Sequence, residues 1–206
     1  MNLYKGLRKN LPGFIKWLFR IHVHGSENEP MEGGYLAVSN HISYIDVIVS
    51  AVAVQRQIRF MAKKELFKVP LLGGLVKALG AFPVDRGGNA VGAIKKSVVL
   101  LSEGEVVGMF PQGHRFMGRK FDTTESEIKG GAAMTCYRAK VPVLPMFIAT
   151  KNDRVALFRR IDIYVGKPIA YEEFGFENGG NDEYTRGAKL MFDRIAELAP
   201  EERRSK

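Results

Sequence analysis

The sequence predicts an α/β fold: a single domain with a mixed, largely buried sheet flanked by helices, plus N-terminal amphipathic membrane-interface helices. Three observations predict it. Short apolar, β-rich runs alternate with helix-period segments from residue 35 to residue 198. Several of those runs lack polar alternation, as strands covered on both faces do. Hydrophobic residues make up 46% of the 206, enough for one sizeable core, and no repeat, low-complexity tract or linker divides the chain.

The first element is "MNLYKGLRKNLPGFIKWLFRI". At about 100° per residue, Leu3, Leu7, Leu11, Phe14, Trp17, Leu18 and Ile21 fall on one side, and Lys5, Lys9, Lys16 and Arg20 on the other. Pro12 and Gly13 divide it into two short helices. A helix of this kind lies in a bilayer interface, with its cations near lipid phosphates and its indole at headgroup depth. A helix packed on the domain's own core has the same pattern. The segment 66–82 favours the first reading, since its only charges are Lys68 and Lys77. Pro70, Gly73 and Gly74 break it, and it is too short to span a bilayer, so it reads as a buried helical hairpin or a dip into one leaflet. The expected organisation is therefore a membrane-interface segment over 1–22 and a single folded domain over 23–206.

Strands are expected at 35–39, 58–62, 81–84, 106–110, 141–149 and 161–166. Helices are expected at 44–54, 89–102, 128–139 and 184–198, with Asn89 capping the second and Gly104 just past its end. Residues 117–127 and 174–183 read as polar loops.

The net charge of +9 asks for an acidic partner: nucleic acid, an anionic membrane face or a phosphate-bearing substrate. Nucleic acid fits poorly, because the basic residues alternate with aliphatic ones and no nucleic-acid signature is present. No apolar stretch reaches the roughly 18 residues of a membrane span. Cys136 is the single cysteine, in a helical apolar pattern that reads as core. His22, His24, His41 and His114 are too scattered for a metal site, and none is expected.

Three polar clusters fall where strands end: "NHISYID" (40–46), "PVDR" (83–86) and "FPQGHR" (110–115). Two readings fit the first. Ser43-x-x-Asp46 matches a helix capping box. His41 and Asp46 also match a dyad, with a neutral imidazole as base and a carboxylate fixing its tautomer. The five-residue step leaves His41 just outside a helix and Asp46 in its first turn, so both roles can coexist. No G-x-S-x-G supplies a serine nucleophile, so the base acts directly on a substrate hydroxyl. Arg86 and Arg115 are cations suited to phosphate, and Pro111 and Gly113 shape a turn that exposes backbone N–H groups beside Gln112.

Together these blocks resemble the glycerolipid acyltransferases of the 1-acylglycerol-3-phosphate acyltransferase type. Asn40, His41 and Asp46 match Asn-His-x-x-x-x-Asp, "FPVDR" ends in Arg86, "FPQGHR" stands for Phe-Pro-Glu-Gly-Thr-Arg, and "VPVLP" (141–145) is similar to the fourth block. "IKGGAA", with Lys129, is similar to a step that opens a helix in the family. The likeness runs from about residue 20 to 170. It departs at Gln112, where the family has Glu, and at His114 and Phe116, where Thr and Ser are usual; these changes point to altered acceptor recognition.

The resemblance implies acyl transfer from a thioester to the free hydroxyl of lysophosphatidic acid, giving phosphatidic acid for phospholipid synthesis. His41 is then the base and Asp46 its orienting carboxylate, while Arg86 holds the acceptor phosphate with help from Gln112, Gly113, Arg115 and Lys129. No cofactor is implied beyond the thioester co-substrate, acyl-CoA or acyl carrier protein. Expected partners are anionic membrane lipids, the lysophosphatidic acid-like acceptor and acyl carrier protein. The expected location is a peripheral or monotopic one on the cytoplasmic membrane face. The alternatives are a family member acting on another lyso-lipid and a non-catalytic membrane-binding module.

Overall fold

The computed structural model describes residues 12–70, 72–78, 80–84, 90–112, 129–151 and 154–201. Residues 12–18 are helical (α1). The chain then runs through β1 (Ile21–His24), β2 (Tyr35–Ser39), α2 (Asp46–Ala53), β3 (Ile58–Lys63), α3 (Leu72–Ala78), β4 (Phe82–Val84), α4 (Ala90–Ser102), β5 (Val106–Met109), α5 (Gly131–Ala139), β6 (Val143–Thr150), β7 (Ile161–Val165) and α6 (Asn181–Glu197).

The seven strands form a sheet in the order β1-β7-β6-β2-β5-β3-β4. All neighbours are parallel except β6 and β7, so the sheet is mixed as expected. β2 and β6 are buried at every position. Successive side chains of a strand point to opposite faces. Leu36 and Val38 therefore enter one core with α5 and α6, while Tyr35 and Ala37 enter another with α2.

Several expectations shift. β1 was not anticipated, and its Ile21, assigned to the N-terminal helix face, is instead a buried strand residue paired with Ile161. The helical part thus ends before Ile21, short of the expected boundary at 22. Pro12 and Gly13 are the first described residues of α1 and both are helical; residues 1–11, on the other side of the anticipated break, lie outside the described residues. α1 packs Ile15 against the core, while Phe14 and Trp17 stay exposed. The segment 66–82 is a short 3-10 turn (Lys64–Lys68) leading into α3 rather than two full helices. α5 and α6 each begin about three residues from the expected start. Gly104 ends α4 in the left-handed region (φ 80) as anticipated, whereas the cap assigned to Asn89 and the loop 117–127 lie outside the described residues.

At the N-terminal end of β2, Glu29 is buried and receives three hydrogen bonds. They come from the Tyr35 hydroxyl (2.8 Å) and the backbone N–H groups of Gln55 (2.6 Å) and Arg56 (2.9 Å). The Arg56 guanidinium lies over the Tyr35 ring and donates to the Pro30, Gly33 and Gly104 carbonyls. Burial, then the bond to Glu29, pushes the Tyr35 hydroxyl far above its ordinary pKa. This cluster knots the end of the sheet opposite His41.

Candidate active site

β2 ends in the middle of the sheet, between β5 and β6, and the chain turns there into α2. Asn40 makes the first tie. Its Nδ2 donates to the Ile148 carbonyl (2.9 Å), and its Oδ1 accepts from the Ile148 N–H (2.7 Å). A side chain thus extends the β2–β6 ladder by one step and fixes where His41 begins.

His41 Nδ1 lies 2.8 Å from Asp46 Oδ2. The same oxygen accepts the N–H groups of Ile42 (2.6 Å) and Ser43 (2.7 Å). An oxygen that accepts two backbone donors has no room for a proton of its own. The proton between it and His41 therefore resides on Nδ1, which leaves Nε2 as the ring nitrogen able to take up or give a proton. Asp46 is fully buried, and the His41 side chain is 13% exposed. The capping box is half made. Asp46 returns its bond to the Ser43 N–H, but the Ser43 hydroxyl accepts from Ile45 N–H (3.3 Å) rather than from Asp46. α2 accordingly starts at Asp46, two residues later than expected, with the carboxylate at the positive end of the helix.

Two further contacts hold the imidazole. Its face stacks on Phe110 with ring centres 4.0 Å apart and planes 11° from parallel, and Phe60 stacks on Phe110 at 5.7 Å. Gly108 makes this possible: a Cβ there would stand 2.2 Å from the Phe60 ring. Gln112 Oε1 accepts the backbone N–H of His41 at 2.7 Å.

A family model described as "Acyltransferase" matches residues 20–149. The chain belongs to this acyltransferase family. It is 32% identical over 175 residues to the 1-acyl-sn-glycerol-3-phosphate acyltransferase of Bacillus subtilis, covering 84% of this chain and 85% of that one. The protein of the same name from Streptococcus pneumoniae is also 32% identical, over 85% of this chain and 66% of its own length. The crystal structure of the 1-acyl-sn-glycerophosphate (LPA) acyltransferase of Thermotoga maritima has a similar fold. Its TM-score is 0.65 at 22% identity, over 96% of this chain and 83% of that one. The chain is thus an acyltransferase enzyme on the fold of that structure.

In this acyltransferase the anticipated site residues fall into three groups. His41 and Asp46 meet, and Gln112 joins them; it is 1% exposed, with its carbonyl turned to the His41 backbone instead of outward. Lys129 has an exposed side chain, and its backbone N–H donates to the Pro111 carbonyl (3.1 Å), which brings the start of α5 beside the same turn. Arg86, Gly113 and Arg115, with His114 and Phe116, lie outside the described residues. Cys136 is a core residue: it is wholly buried, and burial pushes its thiol up to about 12. Phe110, Phe60 and Gly108 are the functional neighbours that sequence reasoning missed. The signal was the pairing of β2 with β5, which sets Val38 opposite Met109 and so brings Phe110 alongside the chain leading to His41.

Proposed function

We propose that this acyltransferase moves a fatty acyl group from an acyl thioester to the free hydroxyl of lysophosphatidic acid, giving phosphatidic acid. One observation carries the chemistry: Nδ1 of His41 is held by a buried carboxylate, which leaves Nε2 as the base. The names of the 32%-identical relatives support the acceptor. Nε2 takes the hydroxyl proton as the oxygen attacks the thioester carbonyl. The tetrahedral intermediate then expels the thiolate, which leaves with the proton from the imidazolium. Asp46 stabilises that imidazolium, Phe110 fixes the ring plane, and Gln112 positions His41 through its backbone. Arg86 takes the acceptor phosphate, with Gly113, Arg115 and the exposed Lys129 assisting. The thioester, on coenzyme A or acyl carrier protein, is the only co-substrate in this scheme, and no metal takes part. The segment before β1, with α1, binds the anionic cytoplasmic face of the membrane, and the catalytic domain follows from Ile21. No described helix is long and apolar enough to cross a bilayer.

The test is thiol release from each thioester in the presence of lysophosphatidic acid. His41→Ala is expected to lower kcat by about 10²–10⁴. Acceptor-independent release that His41→Ala leaves unchanged refutes the scheme. A panel of lyso-lipids with other headgroups tests whether Gln112, His114 and Phe116 accompany a different acceptor.

A further inference from the structure

The loop leading into β7 carries a feature that catalysis does not use. Leu157 and Phe158 are 56% and 57% exposed, and beside them on α1 Phe14 and Trp17 are 55% and 65% exposed. The Trp17 and Phe158 rings meet edge to face at 6.1 Å, and Phe14 adjoins Trp17 at 6.0 Å. The Phe158 N–H donates to the Leu18 carbonyl (3.0 Å), so loop and helix form one unit. Phe158 also has a left-handed backbone (φ 59), which disfavours a bulky side chain, and solvent exposure of the ring does nothing to offset that strain. Beside this apolar knob is a surface cavity of about 490 Å³ lined by Arg20, Lys151, Phe158, Arg159 and Arg160. Among the described residues only Arg160 of these four cations is ion-paired, to Asp162.

The position of the patch follows from the strand directions. β6 runs parallel to β2, so Thr150 lies at the same end of the sheet as Ser39 and the site. β7 is antiparallel to β6 and starts there, with Ile161 opposite Thr150, and β1 starts there beside it. α1 and the 154–160 loop therefore flank the edge that carries His41. At one strand spacing each, the patch is about 10–15 Å from the site.

We propose that Leu157 and Phe158, together with Phe14 and Trp17 on α1, insert into the interface of an anionic phospholipid bilayer, while Arg20, Lys151 and Arg159 bind lipid phosphates in the adjoining cavity. Aromatic rings beside cations that, among the described residues, have no ion pair match the layered chemistry of that interface, apolar below and phosphate above. This proposal adds a contact from a segment 140 residues beyond α1 (Trp17 to Leu157). Its purpose rests on the acceptor reading above: a bilayer meeting this edge brings a lipid acceptor to His41 without the acceptor leaving the membrane.

The test is co-sedimentation of the full chain, without substrates, with vesicles of phosphatidylcholine alone or mixed with phosphatidylglycerol. The parent is expected to prefer the anionic vesicles. Lys151→Gln with Arg159→Gln is expected to lower that partition about 30-fold (~2 kcal/mol, at about 1 kcal/mol per cation), and the loss shrinks as salt rises. Leu157→Ser with Phe158→Asn is expected to lower it about tenfold or more on both vesicles; Asn tolerates the left-handed backbone, so the loop keeps its path. Parental binding by both double variants, with unchanged thermal unfolding, overturns the proposal. So does parental vesicle binding combined with a raised KM for a carrier-protein thioester, which assigns the patch to an acidic protein. Patch-dependent vesicle binding by a chain that acylates no lyso-lipid supports the docking site and refutes only the acceptor reading.

Discussion

Asp46→Asn separates the two tasks that one carboxylate performs. Asn keeps the shape and can turn its carbonyl toward His41 Nδ1, Ile42 N–H and Ser43 N–H; the flipped amide would meet two backbone donors with a donor of its own. Each of the three bonds then changes from charge-assisted to neutral, about 1 kcal/mol apiece, for a loss of about 3 kcal/mol. The new NH₂ also takes the place of Asp46 Oδ1, which is buried and has no hydrogen-bond partner among the described residues, so the loss rises by a further ~1 kcal/mol or more. For a chain of this size the melting temperature falls by about 10 °C, which leaves a folded protein at 15 °C. The effect on catalysis is of another order. The imidazolium formed during turnover loses its counter-charge, and kcat falls by about 10²–10⁴. Thermal unfolding and thiol release on the same preparation read the two effects separately. In a His41→Ala background the Asn substitution should cost no further activity, because the pair acts as a unit. A variant that melts lower yet keeps kcat within about fivefold would refute the dyad and leave Asp46 as a helix cap.

Gly108→Ala should drive the Phe60 ring from its place, destabilise the fold by about 1–3 kcal/mol and lower kcat at least about tenfold by tilting the Phe110–His41 stack; full activity in a folded variant would remove the stack from the mechanism. Glu29→Gln should cost about 2–4 kcal/mol in denaturant melts while leaving kcat at low temperature unchanged, since Glu29 sits at the far end of the sheet; a fall in kcat without a fall in stability would contradict that division. Asp162 binds Arg160 and His24, and although burial raises its carboxyl pKa, those bonds outweigh it and hold the group below its ordinary value. A depressed carboxylate stabilises the fold above its unfolded pKa, about 3.9, and that stability is lost as pH falls through the lower folded value. The stability gap between parent and Asp162→Asn should therefore be open at neutral pH and close below about pH 4; a gap that widens on acidification would reverse the assignment.

The features legible in the sequence are those whose cause is local. β2, β5 and β6 are continuous apolar runs, and the His41–Asp46 contact spans five residues across a helix start that Ser43 and Asp46 signal themselves. β1 was illegible because "IHVH" is short, alternates with histidine, and continues a helical pattern whose last apolar position is Ile21. It is a strand only because β7, some 140 residues later, offers it an edge. The groups that hold the imidazole were hidden for the same reason. Gln112 is 71 residues from His41, and nothing in its own neighbourhood indicates that its carbonyl turns inward. Phe110 reads as the end of a strand until β5 is known to lie beside β2. The patch formed by Trp17 and Phe158 likewise exists only once α1 and the 154–160 loop reach one edge of the sheet.

The restraints on His41 come from two parts of the chain, the start of α2 and the stretch just after β5. Asp46 fixes Nδ1 from the first turn of α2, Phe110 fixes the ring plane from just past β5, and Gln112 fixes the backbone from the turn that follows. A ring bound at one nitrogen, pinned at its backbone and covered on one face presents a single reactive atom, Nε2. On the proposed reading, such a base would need little reorganisation on meeting a hydroxyl, and the cost of its order is met during folding. The local and the distant restraints should also fail differently. Loss of Asp46 removes charge and order together, whereas a change at Gly108 reaches the ring only through Phe60 and Phe110 and leaves the dyad bonded. The second kind of variant should therefore lose rate yet still depend on Asp46, a further Asp46→Asn lowering kcat again, whereas the first has no dyad left to lose.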